Sequence, residues 1–454
     1  MIDRSISLDQ RTPTNGTPTA VRYAVPNCPT TWFERFLLLT VVVTLPLENY
    51  YPSVAGMSSS FLLFTLLGGY IILNRSRILS ETLWQPVFLA AYAFIVIISL
   101  LEFSSPLSLY SDIVRFSQMI GGAVCVAVLC RDRLALATTM YAYIASAVWV
   151  SIVLFSTGYE TIQGMQAEDF NQAERIRGQA FEEKPLGADL NLLANTCTQG
   201  AVVAFAMSIS GRLTHRSVLL LGIATFCLVA SFLSMSRGAA VASLISFAVI
   251  LYAQGIRQGK ILILVSVLGM GVLAAVPGAI WSRMTYSTSV QSSGKLDARA
   301  SLYDAALNRL PEYIVGGVGS GNFSQKWGLE KGFARHRSGG LIAQPTHNSP
   351  LQITVNWGIL GLSGFLLIIW CVYRLIPLQS GRDELSLALL GVLVAVGLFL
   401  LQVHNFYFKS FGVSLGVLVG ARRWIWPIGI VLEVARNEPP SGSDINITPD
   451  CHSR

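Results

Sequence analysis

The chain has 454 residues, 52% of them hydrophobic and only 13% charged, with a formal net charge of +7. Its mean hydropathy of +0.55 is too high, and its charge too sparse, for a soluble globular protein of this length. These values exclude a soluble enzyme and leave a polytopic membrane protein, with no nucleic-acid partner expected.

The first 31 residues are polar, carry Pro13, Pro18 and Pro26 among scattered Arg, and lack the short apolar core and small-residue cleavage site of a signal peptide. They are expected to form a disordered cytoplasmic tail (1–31). Crossing the hydrocarbon as a helix takes roughly 20 apolar residues. Such runs occur near 33–51, 54–73, 83–101, 113–130, 134–155, 190–210, 217–235, 239–254, 261–280, 350–372, 385–403 and 407–421, twelve in all. Residues 32–280 therefore hold spans one to nine and residues 349–421 hold spans ten to twelve, in an all-α fold.

With the N-terminus inside, the short inside connections carry Arg75 and Arg77, Arg131 and Arg133, Arg212 and Arg216, Arg257 and Lys260, Arg374 and Arg382, and Arg422 and Arg423. The short outside connections 52–53, 102–112 and 404–410 hold only Lys409. This bias predicts that both termini are cytoplasmic.

Two longer segments fall outside on this plan, 156–189 and 281–348, and both are too polar to lie in lipid. The larger holds eight basic residues (Arg283, Lys295, Arg299, Arg309, Lys326, Lys331, Arg335, Arg337) against four acidic ones (Asp297, Asp304, Glu312, Glu330). Long loops are exempt from the positive-inside bias, so the surplus leaves the topology intact and points to an anionic partner. Within it Leu296, Ala300, Tyr303, Leu307 and Leu310 recur at helical spacing, which predicts an amphipathic helix over 296–310. The run Gly316 to Gly321 lacks the Lys-Ser/Thr ending of a phosphate loop and reads as a tight, backbone-exposing turn at the membrane surface. The seven cysteines leave this loop empty, so no disulfide is expected to matter. After span twelve, residues 422–454 form a cytoplasmic segment: Trp424 to Val434 suits an interface, and a polar tail follows from about Arg436.

Four polar features stand at the outer ends of these spans. Arg237, in Ser234-Met235-Ser236-Arg237-Gly238, lies between two uncharged apolar runs. It is either a cation that snorkels to the headgroups or a ligand for phosphate, with Gly238 and the small residues after it allowing a lipid-linked substrate to approach. Arg115 opens the fourth span beside Asp112, and an i,i+3 ion pair accounts for it as readily as substrate contact does. Arg177, followed by Gly178 and then by Asn191 and Asn195 at the entry to span six, sits among seven acidic residues. Surface pairing would neutralise it, yet the glycine and the amides also suit sugar hydroxyls and phosphate oxygens. His347, in Thr346-His347-Asn348-Ser349-Pro350, stands where the loop re-enters a helix. It is a local cap or a general base, the latter worth ~10²–10⁴ in rate. His336 and His404 show no ligand spacing, so no metal or other cofactor is expected.

Together these segments resemble the O-antigen ligase and O-antigen polymerase family of bacterial inner-membrane enzymes. The matching pieces are Arg177-Gly178 with Phe181 and Asn191; Ser236-Arg237-Gly238; Arg299 through Leu310 with Pro311, Gly317, Gly319, Gly321, Asn322 and Phe323; and His347-Asn348, then Gly358 and Gly361. The resemblance covers roughly 170–370. It implies a GT-C-like membrane fold with short helices in one large periplasmic loop. It also implies transfer of a glycan from an undecaprenyl-pyrophosphate carrier to a glycan or lipid A-core acceptor. His347 would then be the base toward the acceptor hydroxyl, Arg237, Arg299 and Arg177 would hold the pyrophosphate, and Asn348, Tyr303 and Arg115 would line the substrate. Tyr303 stands where the family often has Trp. A ligase, an O-antigen or exopolysaccharide polymerase and a protein O-oligosaccharyltransferase all fit. A transporter or flippase fits less well, because the sequence shows no matched halves and its charges gather at the outer surface.

Overall fold

The structure is a computed structural model that describes residues 29–47, 59–101, 106–163, 172, 176–177, 179–181, 189–210, 214–255, 280, 298–320, 334–337, 340–343, 346–376, 383–403 and 409–424. Thr30–Gly442 forms one compact unit. Its helices are α1 (Trp32–Thr44), α2 (Ser59–Leu83), α3 (Pro86–Leu101), α4 (Pro106–Leu129), α5 (Arg133–Gln163), α6 (Leu190–Ile209), α7 (His215–Leu233) and α8 (Arg237–Gln254). The chain continues through α9 (Ala298–Asn308), α10 (Leu310–Tyr313), α11 (Ser349–Leu375), α12 (Glu384–Leu400) and α13 (Lys409–Trp424).

Among the described residues, six helices are long and apolar enough to cross a membrane, or seven if the bent α2–α3 pair is one span, and α12 is a shorter apolar helix. The expected segments coincide with helices except 261–280, of which 261–279 lie outside the described residues, as do the tails 1–28 and 425–454. Length and composition thus support a membrane-spanning helical protein without establishing the number twelve. Two boundaries differ from expectation. The Arg75–Arg77 connection is helical, because α2 runs on through a kink at Arg75 (φ −138°) before an 82° bend into α3. α5 extends to Gln163, eight residues past its expected end, and at 1.5 Å per residue its roughly 46 Å outruns the hydrocarbon. Strands also appear where only short helices were expected. Ala334–Arg337 pairs antiparallel with Gly340–Ala343, Arg337 opposite Gly340. Ser338 and the two glycines after it are the hairpin signal in that stretch.

Ion pairs gather on one face and order the helix ends there. The buried Glu34 carboxylate at the start of α1 meets Arg75 at 2.7 Å and Arg131 at 2.7 Å. Arg133 pairs with Asp383, Arg216 with Glu384 at 3.3 Å, and Arg423 with Glu81 at 2.6 Å. Burial would raise the Asp132 carboxyl, but hydrogen bonds from the Thr30 hydroxyl and from the Ala135 and Thr30 amides, with Arg131 nearby, hold it below the usual carboxylate range. Among the described residues, basic residues of four of the connections expected on the inside join in these pairs. Their basic residues reach acids at the ends of α1, α2 and α12. The far ends of α7 and α12 lead into the candidate site.

Candidate active site

The turn between α7 and α8 is three residues long. Ser234 caps α7, Met235 turns at φ 55°, and Ser236 begins α8 without lending its side chain to the helix amides. Arg237 is thus the first residue of an 18-residue helix. The positive dipole end of that helix favours an anion near its first turn.

Arg177 is tied into this turn. Its Nε donates to the Ser234 carbonyl at 3.0 Å and its Nη2 to Asn191 Oδ1 at 3.3 Å, on the first turn of α6. Ile176, Ala180 and Phe181 anchor the segment by joining a buried cluster with Leu193, Phe232, Leu233 and Met235. Two of its contacts are thus a helix-end carbonyl and a side-chain amide, and five of the seven acids around it lie outside the described residues. One edge of the guanidinium caps a helix end and another reads an amide.

His347 occupies a second strained turn, at φ 52°. Met235 and His347 are the non-glycine residues with positive φ among those described. Such strain persists only where the surroundings over-determine it, and it clusters at functional sites. The clamp on His347 is explicit. Before it, the Thr346 amide donates to Gln352 Oε1 at 3.0 Å, and Gln352 Nε2 donates to Asn356 Oδ1 at 2.9 Å. After it, Asn348 caps α11 through the Leu351 amide at 2.9 Å and sends Nδ2 to the Leu401 carbonyl at 3.1 Å. The Tyr303 hydroxyl reaches the His347 carbonyl at 3.4 Å, so Tyr303 stands beside the turn.

The loop that carries Tyr303 is held by a break in α11. Trp357 (φ −134°) and Gly358 (φ 62°) leave the helix conformation. The amide of Ile359, which would otherwise close the helix onto Val355, donates to Ile314 O at 2.7 Å. The freed carbonyls of Val355 and Asn356 accept from Val318 N and Gly319 N, each at 2.9 Å. Trp357 is fully buried against Phe94 of α3. The glycine run is therefore a docking turn, and it packs into a helix break more deeply than a surface turn would. The expected stripe on α9 is off by part of a turn: Leu302 and Ala306 are buried with Tyr313 and Val355, whereas Leu307 is 56% exposed. Leu296 lies outside the described residues.

At Gly358 a Cβ would stand 2.3 Å from the Val315 carbonyl oxygen, besides the positive φ. Gly358→Ala is expected to undock the loop at a cost of about 1–3 kcal/mol. Limited proteolysis of the purified protein should then cut faster between residues 281 and 348 and nowhere else. Unchanged cleavage there would count against the docking role.

Arg299 falls in the first turn of α9. Arg115 is exposed on α4, and its neighbour Asp112 accepts a hydrogen bond from Ser320 Oγ, so that helix end is joined to the docked loop. Asn322, Phe323 and Gly178 lie outside the described residues.

One element that the sequence reading passed over joins the two turns. Beyond α12, Gln402 Nε2 donates to the Gly238 carbonyl at 3.1 Å, while the Leu401 and Val403 carbonyls accept from Asn348 Nδ2 and from Ser349 Oγ at 2.7 Å. The arginine turn and the histidine turn therefore share one support. The Gln402 amide also fills the space that the missing Cβ of Gly238 leaves, so that glycine admits a side chain of this protein and not an open approach for lipid.

Residues 219–366 match a family model described as O-Antigen ligase. Over that stretch the chain is similar to the O-antigen ligase family. The family region runs from within α7 into α11 and takes in Arg237, Arg299, Tyr303, His347, Asn348, the docked loop and the helix break. Arg115, Arg177 and Gln402 lie outside it. A comparison with curated proteins found no match.

Proposed function

We propose that this O-antigen ligase family protein transfers an undecaprenyl-pyrophosphate-linked glycan to an acceptor hydroxyl at the periplasmic face of the bacterial inner membrane. One observation carries the reading. A strained histidine turn and a helix that begins with an arginine are held together by the same short turn, Leu401–Val403.

The chemistry uses both. His347 takes the proton of the acceptor hydroxyl as the new oxygen–carbon bond forms at the anomeric carbon. The bond from that carbon to the carrier phosphate breaks, and its electron pair leaves on the pyrophosphate. Arg237 and the α8 amides meet the charge developing there, with Arg299 and Arg177 as further cations; such prepositioned donors act where the charge appears. Tyr303, Asn348 and Arg115 line the acceptor and glycan path. The acceptor is a growing glycan or lipid A core, which leaves ligase and polymerase side by side, and a protein acceptor is the further variant. Purified protein in liposomes, given undecaprenyl-pyrophosphate-linked oligosaccharide and each acceptor in turn, should form product with one of them. Absence of product with all three would overturn the reading.

The shared face of ion pairs is the cytoplasmic one in this proposal, with both termini on that side and the rim of His347 and Arg237 outside. Reporter fusions after residues 76, 214 and 258 should be active only as cytoplasmic reporters, and those after 170 and 320 only as periplasmic ones. A cytoplasmic signal at 320 would overturn the site assignment.

A further inference from the structure

The turn after α12 lies outside the family region, yet it touches both halves of the rim. Gln402 is half-buried and points its amide at the first turn of α8. A Cβ on Gly238 would fall 1.4 Å from Gln402 Oε1 and 2.2 Å from its Cδ, so the glycine and the glutamine fit each other closely. On the other side of the same turn, the Leu401 and Val403 carbonyls stand just past the helix end, where carbonyls lack partners within the helix. They are met by the side chains of Asn348 and Ser349 that follow His347.

We infer that Gln402 is a positioning residue for glycan transfer: by seating on Gly238 it sets where Arg237 lies relative to the His347 turn. The inference rests on the function proposed above. Gln402 touches neither reacting atom in this scheme. It acts through the α8 backbone on the cation and, through the turn that carries it, on the base. In-line displacement needs acceptor, base and leaving group in register, and a misplacement of about 1 Å is enough to cost up to ~10²-fold in rate. Because Arg237 is displaced and not removed, and Arg177 and Arg299 still meet the bound donor in this scheme, the loss falls chiefly on kcat.

The test uses the full-length protein in liposomes with undecaprenyl-pyrophosphate-linked oligosaccharide and the acceptor that supports transfer. Gln402→Ala, and Gln402→Met, which keeps length but has no N–H to donate, should each lower kcat about ten-fold or more with the donor KM within about two-fold. Gly238→Ala should match them, since its methyl evicts the amide. In the Gln402→Ala background Gly238→Ala should add less than about two-fold, because the two changes break one contact. Hydrogen exchange of the same proteins supplies the second arm. In Gln402→Ala and Gln402→Met, the peptides covering 236–240 and 346–352 should both exchange faster than in the native chain. Unchanged exchange in either peptide overturns the inference, whatever the rates. So does an unchanged kcat, or strictly additive effects in the double variant, when the native protein transfers glycan. If the native protein transfers nothing while both peptides loosen, the proposed function falls and the coupling of the two turns by Gln402 stands.

Discussion

Replacing His347 with Ala should lower the rate of glycan transfer by roughly 10²-fold or more, the size expected when a positioned general base is removed. The variant should still insert and fold, because hydrogen bonds of Thr346, Asn348 and Gln352 hold the turn. The donor KM should change little, since the base acts on the acceptor proton and its interaction belongs to the transition state. Native activity should fall once the ring is protonated at low pH, because only the neutral imidazole accepts the proton. Activity should also survive EDTA. Loss with chelator that a divalent ion restores would sink this role for His347, as would a His347→Ala protein that transfers glycan at nearly the native rate.

Much of this site was legible from residue type and position relative to the spans. Arg237 stood out as a charge between two uncharged apolar runs, and His347 as a titratable group at a loop-to-helix junction; one follows shortly after a strained turn and the other occupies one. The spacing of glycines after Pro311 marked a turn, but not that Gly317 and Gly358 would interlock. That contact joins residues far apart in sequence and leaves no local period. The stripe on α9 went astray because Ala306 carries a weak hydrophobic signal while Leu307 carries a strong one, and the packing partner that decides between them is Val355. Gln402 was hidden for a different reason. A lone amide at the end of an apolar run looks like any helix exit, and its meaning depends on a glycine 164 positions earlier.

Arg237→Lys should be nearly as damaging as Arg237→Ala, each lowering glycan transfer ~10²-fold or more, the scale seen when a preorganised donor to a developing anion is lost. A guanidinium offers two parallel N–H groups in a fixed fork, which fits the oxygens of a phosphate, whereas an ammonium is a point charge on a flexible stem. Arg237 is also the first residue of α8, and its backbone follows the Met235 turn. Unlike the base, this cation meets a group already charged in the bound donor. Its removal should therefore raise the donor KM as well as lower kcat, which separates its signature from that of His347. Were Arg237 only a snorkelling cation, its task would be to place a positive charge among the headgroups, and Lys does that equally well. Transfer assays on normally expressed Arg237→Lys and Arg237→Ala proteins decide between the two, with native rates in the lysine variant counting for the snorkelling cation and against the pyrophosphate ligand.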